Sequence, residues 1–314
     1  MAEPFRVDSV RVEGRSALRL ARADGALSAV VVPELAMLGA SLQRDGLELL
    51  GLRGGVAAYA ERGSTMGIPL LYPWANRLAD LVAAGVQVGE GSTLVRRDGA
   101  TGLAIHGLRL TGAPWRVSRR VADAEGAEVA AELDWEDDPG LMAAFPIPHR
   151  LEVSYRLDHQ ALHVGVVIQA TGEAAVPLAF GFHPYLAPPG APRAQWGLSL
   201  PVGPRFELDD RGLPTGRSLP GGPIDGPLGE RVFDDLFRAP EAGRTMAVEG
   251  GGQRVELSFG PGFPFAQIFA PPTEQLIAIE PMTAPTDALS RGGPDLRTVP
   301  PGRSFGAGFS IQVP

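Results

Sequence analysis

The chain has 314 residues, 44% of them hydrophobic, with a formal net charge of −8 and a pI near 5.2, which allows one large or two ordinary domains around a sizeable core. That acidity excludes the basic face needed to grip a phosphate backbone, so no nucleic acid is expected as a partner. There is no cysteine, and all 28 basic residues are arginine, which removes disulfides, thiolate nucleophiles, cysteine-ligated zinc, Schiff-base lysines, pyridoxal phosphate anchoring and the P-loop lysine.

Met1–Val10 has no basic start leading into an apolar core, and the most apolar stretch, Ala26–Leu42, is interrupted by Pro33 and Glu34. Neither a signal peptide nor a membrane span is expected, and the cytoplasm is the expected compartment. With 41 Gly and 30 Pro the chain is punctuated too often for long helices, and short runs of strand character lie between the breaks. Phe5–Val12, Ala17–Ala21 and Ser28–Val32 read as an opening meander. In the middle, Arg150–Leu157 and Ala161–Ala170 alternate apolar and polar residues around Asp158, His159 and Gln160, as a hairpin should. The Pro/Gly-rich stretch Leu213–Gly229 reads as a long loop. Arg254–Phe259, Phe265–Ala270, Gln275–Glu280 and Phe305–Val313 continue the strand pattern to the C-terminus. The best helix signal is Pro285–Leu289, where Thr286 or Asp287 could cap one turn. The expectation is an all-β chain, residues 1–314 forming one large β-sandwich domain with few short helices.

Five histidines are candidates for chemistry. His159 sits in the hairpin turn and His163 on the strand after it, at a spacing that would pair them on a metal only in a helix, and His149 has no recognisable partner; all three read as structural. His183 stands in FGFHPYLAP (Phe180–Pro188), flanked by Phe182 and Tyr185. That setting is open to two readings: a core histidine bonded to backbone, or a general acid near neutrality. Glu280 ends an apolar run in IAIEPMT (Ile277–Thr283), where burial without a polar partner is costly; a solvated terminus and a general base are both open. The only asparagine of the chain, Asn76, precedes Arg77 in PLLYPWANRL (Pro69–Leu78), which joins an aromatic pair to a bidentate donor of the kind that holds sugar rings and hydroxyls. His106 precedes Gly107, and Asp234 and Asp235 fall in RVFDDLF (Arg231–Phe237). Gly302–Gly306 (GRSFG) matches a nucleophile-elbow pattern, but no acid and no histidine follow Ser304, so the hit is dismissed.

PWANR, the isolated HG, FHPYL, FDDLF and IEPMTAPTDAL, in this order and at wide separations, resemble the aldose 1-epimerase (galactose mutarotase) family over most of the chain. The resemblance implies a β-sandwich of the kind called a supersandwich, an open sugar-binding cleft, and no metal or organic cofactor. Carried over residue by residue, it makes His183 the general acid that protonates the ring oxygen and Glu280 the base that removes the anomeric hydroxyl proton. His106 and Arg77 would bind the ring oxygen and hydroxyls, Asn76 would shape the cleft, and Asp234, in preference to Asp235, would accept sugar hydroxyls. The partner would be a small-molecule sugar, the assembly a monomer or homodimer. Galactose-specific members carry a Gln shortly after the catalytic Glu, whereas Pro281, Met282 and Thr283 follow here; the chain therefore looks like the less characterised bacterial branch, acting on glucose, other aldoses, modified sugars or a sugar phosphate. Two other readings stand beside it: a non-catalytic carbohydrate-binding protein on the same fold, and a glycoside-cleaving enzyme using Glu280 and Asp234 as paired carboxylates.

Overall fold

The computed structural model describes residues 4–83, 86–89, 91–241 and 244–314. Along His149–Leu157 every second residue is buried, and that period of two fixes one face against a core. The strand pairs antiparallel with Ala161–Ala170, from His149 opposite Ala170 to Leu157 opposite Leu162. This hairpin lies inside a nine-stranded sheet ordered Arg116–Ala122, Ala127–Asp134, His149–Leu157, Ala161–Ala170, Ser304–Gln312, Gln253–Phe259, Thr245–Gly250, Gly197–Leu200, Ile224–Pro227. A second sheet of eight strands runs Pro214–Leu219, Arg205–Leu208, Phe233–Arg238, Phe265–Ala270, Ile277–Met282, Gly181–Phe182, Leu70–Leu71, with Tyr185–Leu186 also paired to Ile277–Met282. The opening meander forms a separate five-stranded sheet from Phe5–Val12 to Leu47–Glu48.

The two large sheets share one apolar core. Leu151, Val153, Phe309 and Ile311 of the first belong to the same buried cluster as Phe182, Ile268, Ile277 and Ile279 of the second, and the rings of Phe182 and Phe309 lie 5.3 Å apart. The all-β sandwich expected from the sequence is what forms. Among the described residues the helices are short: Gly55–Arg62, Pro139–Ala144 and Ala288–Arg291. No helix of the described residues is long and apolar enough to cross a membrane.

Three expectations are corrected. Leu213–Gly229 is not a loop throughout: Pro214–Leu219 pairs with Arg205–Leu208, and Ile224–Pro227 pairs with Gly197–Leu200. Each is the outermost strand of its sheet, where Pro and Gly are tolerated because one edge needs no partner. Asp287 precedes the last helix but does not cap it; its carboxylate instead accepts the Ala79 amide at 2.7 Å and pairs with Arg291. The aromatic pair Tyr72 and Trp74 is core, 1% and 0% exposed, not a sugar-facing surface.

Tyr72 ties the core to the region described next. Its hydroxyl bonds His149 Nε2 at 2.6 Å, and His149 is stacked on Trp135 at 4.5 Å. Its carbonyl accepts the Leu108 amide at 2.8 Å, close against Gly107. A Cβ on Gly107, whose φ is +72°, would meet that carbonyl oxygen at 2.1 Å. Gly107→Ala is therefore expected to lower unfolding free energy by ~3 kcal/mol or more, strain and overlap acting together, as measured by urea denaturation.

Burial lowers the pKa of His149 to about 4. The folded protein keeps this ring neutral while the unfolded chain protonates it near pH 6.5, so its contribution is whole above pH 6.5 and is lost as pH falls toward 4. The midpoint of urea unfolding should fall across that window, and more steeply than in His149→Gln.

Candidate active site

The alternation of Ile277–Met282 places Ile277 and Ile279 in the core shared by the sheets, and turns Ala278, Glu280 and Met282 to the opposite face. Glu280 thus sits within a strand rather than at its end, 1% exposed, across from Gln267. His183 lies between the short strands Gly181–Phe182 and Tyr185–Leu186, its amide held by the Pro69 carbonyl at 3.0 Å. These pairings bring His183 Nε2 within 3.1 Å of Glu280 Oε1. The imidazole stacks on Tyr185 at 4.2 Å and meets the ring edges of His106 and Phe269 at 5.3 and 5.9 Å.

The pair opens into a cleft of about 500 Å³ that also presents Asn76, Arg77, His106, Asp234, Arg53, Thr65, Arg97 and Asp98. The structure therefore brings all six residues singled out in the sequence into one place. Asn76 and His106 both hold positive φ, +57° each, in a conformation unusual for residues other than glycine. Asn76 Oδ1 accepts the Arg77 amide at 2.9 Å, and the Asn76 carbonyl accepts the His106 amide at 3.0 Å. Arg77 is clamped by Asp98 at 2.6 Å and reaches Asp234 at 3.4 Å. Asp234 faces the cleft, whereas Asp235 points away and pairs with Arg205 at 3.2 Å.

Reading the sequence missed five of the wall residues named here and one beside them. Arg53, Thr65, Arg97 and Asp98 carry no motif of their own. Tyr185 was visible only as a neighbour of His183. Gln267, 1% exposed, donates from Nε2 to Asp234 Oδ1 at 2.7 Å; a lone amide inside the apolar run FAQIFA was the available signal.

The electrostatics follow from burial. Glu280 is pushed well above the ordinary carboxyl range, first by desolvation and then by the charge of Asp234. His183 is pushed well below its usual value, first by desolvation and then by His106 and Arg53. Both shifts favour neutral forms, so one proton shared across the 3.1 Å contact, resting on Glu280, describes the free site. His106 is lowered to about 3 by burial and by the positive charges of Arg96 and Arg77, which leaves it an uncharged hydrogen-bonding group at pH 7. Glu280 Oε2, His183 Nδ1, His106 Nδ1 and Gln267 Oε1 are buried with no hydrogen-bond partner among the described residues. Four orphaned polar atoms around one cleft match a ligand that brings several hydroxyls.

The aldose 1-epimerase family model matches residues 38–312. Solved structures with the same architecture include a galactose mutarotase-like protein from Clostridium acetobutylicum, at 18% identity and TM-score 0.80, covering 99% of each chain. Galactose 1-epimerase from Lactobacillus acidophilus NCFM aligns at 14% identity and TM-score 0.75, covering 100% of this chain and 99% of that one. An aldose epimerase homologue from C. elegans aligns at 16% identity and TM-score 0.70, with 100% and 99% coverage. At such identities these likenesses speak to the fold alone; the family match, spanning most of the sequence, places the chain in the aldose 1-epimerase family.

Proposed function

We propose that this protein is an aldose 1-epimerase that interconverts the α and β anomers of a free, uncharged aldose, with His183 and Glu280 as its acid and base. The observation that carries this reading is the buried His183–Glu280 contact at 3.1 Å on the wall of a polar cleft. A sugar hydroxyl donating to the orphaned Glu280 Oε2 would favour the carboxylate and return the shared proton to His183. The pair would then hold an imidazolium and a carboxylate side by side. Glu280 takes the proton of the anomeric hydroxyl as His183 gives its proton to the ring oxygen, and the C1–ring oxygen bond opens to an aldehyde. Rotation about C1–C2 presents the other carbonyl face, and closure with both transfers reversed gives the other anomer. The proton count of the pair is the same before and after, so no co-reactant is consumed.

Arg77, His106, Asn76 and Asp234 would hold ring oxygen and hydroxyls, with Gln267 bracing Asp234. The charge balance of the walls favours an uncharged sugar over a phosphorylated one. Arg53 is engaged by Glu274 at 2.7 and 2.9 Å, and Arg77 by Asp98 at 2.6 Å. A phosphate would have to draw on exposed Arg97 at the rim.

Polarimetry of freshly dissolved α-glucose and α-galactose tests the reading against the spontaneous rate in the same buffer. The parent is expected to accelerate mutarotation, and His183→Ala and Glu280→Gln each to lose about 10²–10⁴-fold in kcat with folding intact. Sugar binding by the parent without acceleration would replace the enzyme by a carbohydrate-binding protein. Robust release from aryl glycosides would replace it by a glycosidase.

Asp234→Asn keeps the side-chain shape but weakens an acceptor made equally in ground and transition states. KM for the best aldose should rise by about tenfold, and kcat should fall as well because the lost charge lowers the pKa of Glu280 and weakens it as a base, both measured by initial rates over a range of sugar concentrations.

A further inference from the structure

Arg77 lies in the cleft between two carboxylates that hold it unequally. Its Nε donates to Asp98 Oδ2 at 2.6 Å, whereas Nη1 and Nη2 stand 3.4 and 3.5 Å from Asp234 Oδ2. Nη1 also packs on Gly212, where a Cβ would come within 2.7 Å of it, so the guanidinium is confined from a second side. The side chains of Arg77 and Asp98 are 16% and 10% exposed, that of Asp234 45%. Asp98 is the close, dry partner and Asp234 the distant, wet one, and the drier pair is the less screened.

The Asp98 carboxylate also builds the loop it stands on. Oδ1 accepts the Ala100 amide at 2.8 Å and the Thr101 amide at 3.3 Å, as aspartate does at the head of a turn. Backbone bonds close the loop, from the Gly102 amide to the Asp98 carbonyl at 2.8 Å and from the Asp98 amide to the Leu103 carbonyl at 2.9 Å. Three donors converging on one side chain require a group that only accepts, which a carboxylate is and an amide is not. An asparagine turned toward Ala100 and Thr101 would set its NH2 against Arg77 Nε–H; turned the other way, it would set it against both backbone amides. Burial acts to raise the pKa of Asp98, but the Ala100 amide, Arg77 and the Thr101 amide together hold it below the ordinary carboxyl range, so the negative charge is present at neutral pH. Around the cleft Arg53, Arg77 and Arg97 are matched by Glu274, Asp98 and Asp234, while burial favours the neutral forms of His106, His183 and Glu280. Removing the charge of Asp98 leaves one positive charge in excess, on a guanidinium whose planar fork suits a phosphate or carboxylate.

We propose that Asp98 sets the charge class of the sugar: by holding Arg77 in a neutral pair, it reserves the cleft for uncharged aldoses and turns away phosphorylated or carboxylated ones. The proposal rests on the reading of this cleft as the sugar site, with Arg77 holding hydroxyls. A paired guanidinium still donates to hydroxyls through Nη1 and Nη2, but it offers an anion no net charge to offset the loss of its hydration. Asp98 is a positioning residue, since it acts through Arg77.

The test uses the full chain with Asp98→Asn, Asp98→Ser and, as a control that removes the same charge from an exposed turn, Asp24→Asn. Glucose 6-phosphate serves twice: as a competitor in the mutarotation of α-glucose followed by polarimetry, and as a ligand titrated by ³¹P NMR, which needs no turnover. In Asp98→Asn its affinity is expected to rise about tenfold or more while KM for glucose also rises, and the gain should shrink as salt is raised from about 0.01 M to about 0.5 M. A merely structural fault would weaken both sugars together. Asp98→Ser, whose hydroxyl still accepts a turn amide, should shift in the same direction, and Asp24→Asn should match the parent. Unchanged affinity for glucose 6-phosphate in both Asp98 variants, or a parent that binds it as tightly as glucose, would overturn the proposal. Should Asp98→Asn fail to fold, the serine variant decides. A parent that accelerates no aldose would remove the proposed activity, and the ³¹P titration alone would then decide the role of Asp98.

Discussion

A carboxyl group and an imidazole, each nearly inaccessible to water, face each other at 3.1 Å, where burial favours the neutral form of each. Neither is stable there as an isolated charge, because burying an unpaired ion costs several kcal/mol even after relaxation. Each is tolerable beside the other, since the proton can rest on either partner without creating net charge. This contact decides what surrounds it. Phe269 and Tyr185 keep water from the imidazole, and Arg77 and Arg53 bring positive charge near the cleft only while held by Asp98 and Glu274. A free guanidinium against the pair would add an unpaired charge to the same dry site.

The pair is held by elements that depend on the sandwich core. Glu280 faces the cleft because Ile277 and Ile279 face the core on the same strand, and a slip of one residue would bury the acid among aliphatic side chains. His106 and Asn76 occupy left-handed backbone, which an L residue adopts only when neighbours impose it. Here the imposition is traceable. The Tyr72 carbonyl takes the Leu108 amide, Gly107 fits beneath it without a Cβ, and the Tyr72 hydroxyl is fastened to His149 deep in the core. Core histidine, tyrosine and strained turn form one continuous support, so a substitution at His149 or Gly107 acts on the cleft without touching sugar.

Strand positions in the centres of the sheets were legible because a period of two survives in Arg150–Leu157 and Ala161–Ala170, and a short apolar run marks Phe265–Ala270. The outermost strands Pro214–Leu219 and Ile224–Pro227 were not, since an edge exposed on one side needs neither alternation nor freedom from proline. The six residues gathered at the cleft were picked out through short motifs and family resemblance rather than through periodicity. Tyr72 and Trp74 were misassigned for a physical reason: an aromatic pair beside an arginine has the same composition whether it lines a cleft or fills a core, and only the sheet register separates the two. Gln267, Arg53, Thr65 and Tyr185 escaped because their roles arise from contacts across wide gaps in sequence, such as the 132 residues separating Arg53 from Tyr185.

The departure that follows the acid in sequence, Pro281–Met282–Thr283, turns out to lie off the cleft. Met282 packs against Leu71, Ala75, Leu236 and Phe265, and the Thr283 hydroxyl donates to the Phe180 carbonyl at 3.0 Å. These residues support the floor under Glu280 and cannot read a sugar hydroxyl directly. An amide does stand beside Glu280, but it comes from the neighbouring strand, where Gln267 sits in register with the acid and braces Asp234. The cleft is also lined by Arg97, Asp98, Gly99, Gly63 and Ser64. Under the proposed activity, discrimination among aldoses would fall to these residues together with the side chains that would hold the hydroxyls, Arg77, Asn76 and Asp234, because the pair itself would act on C1 and the ring oxygen, which every cyclic aldose presents alike.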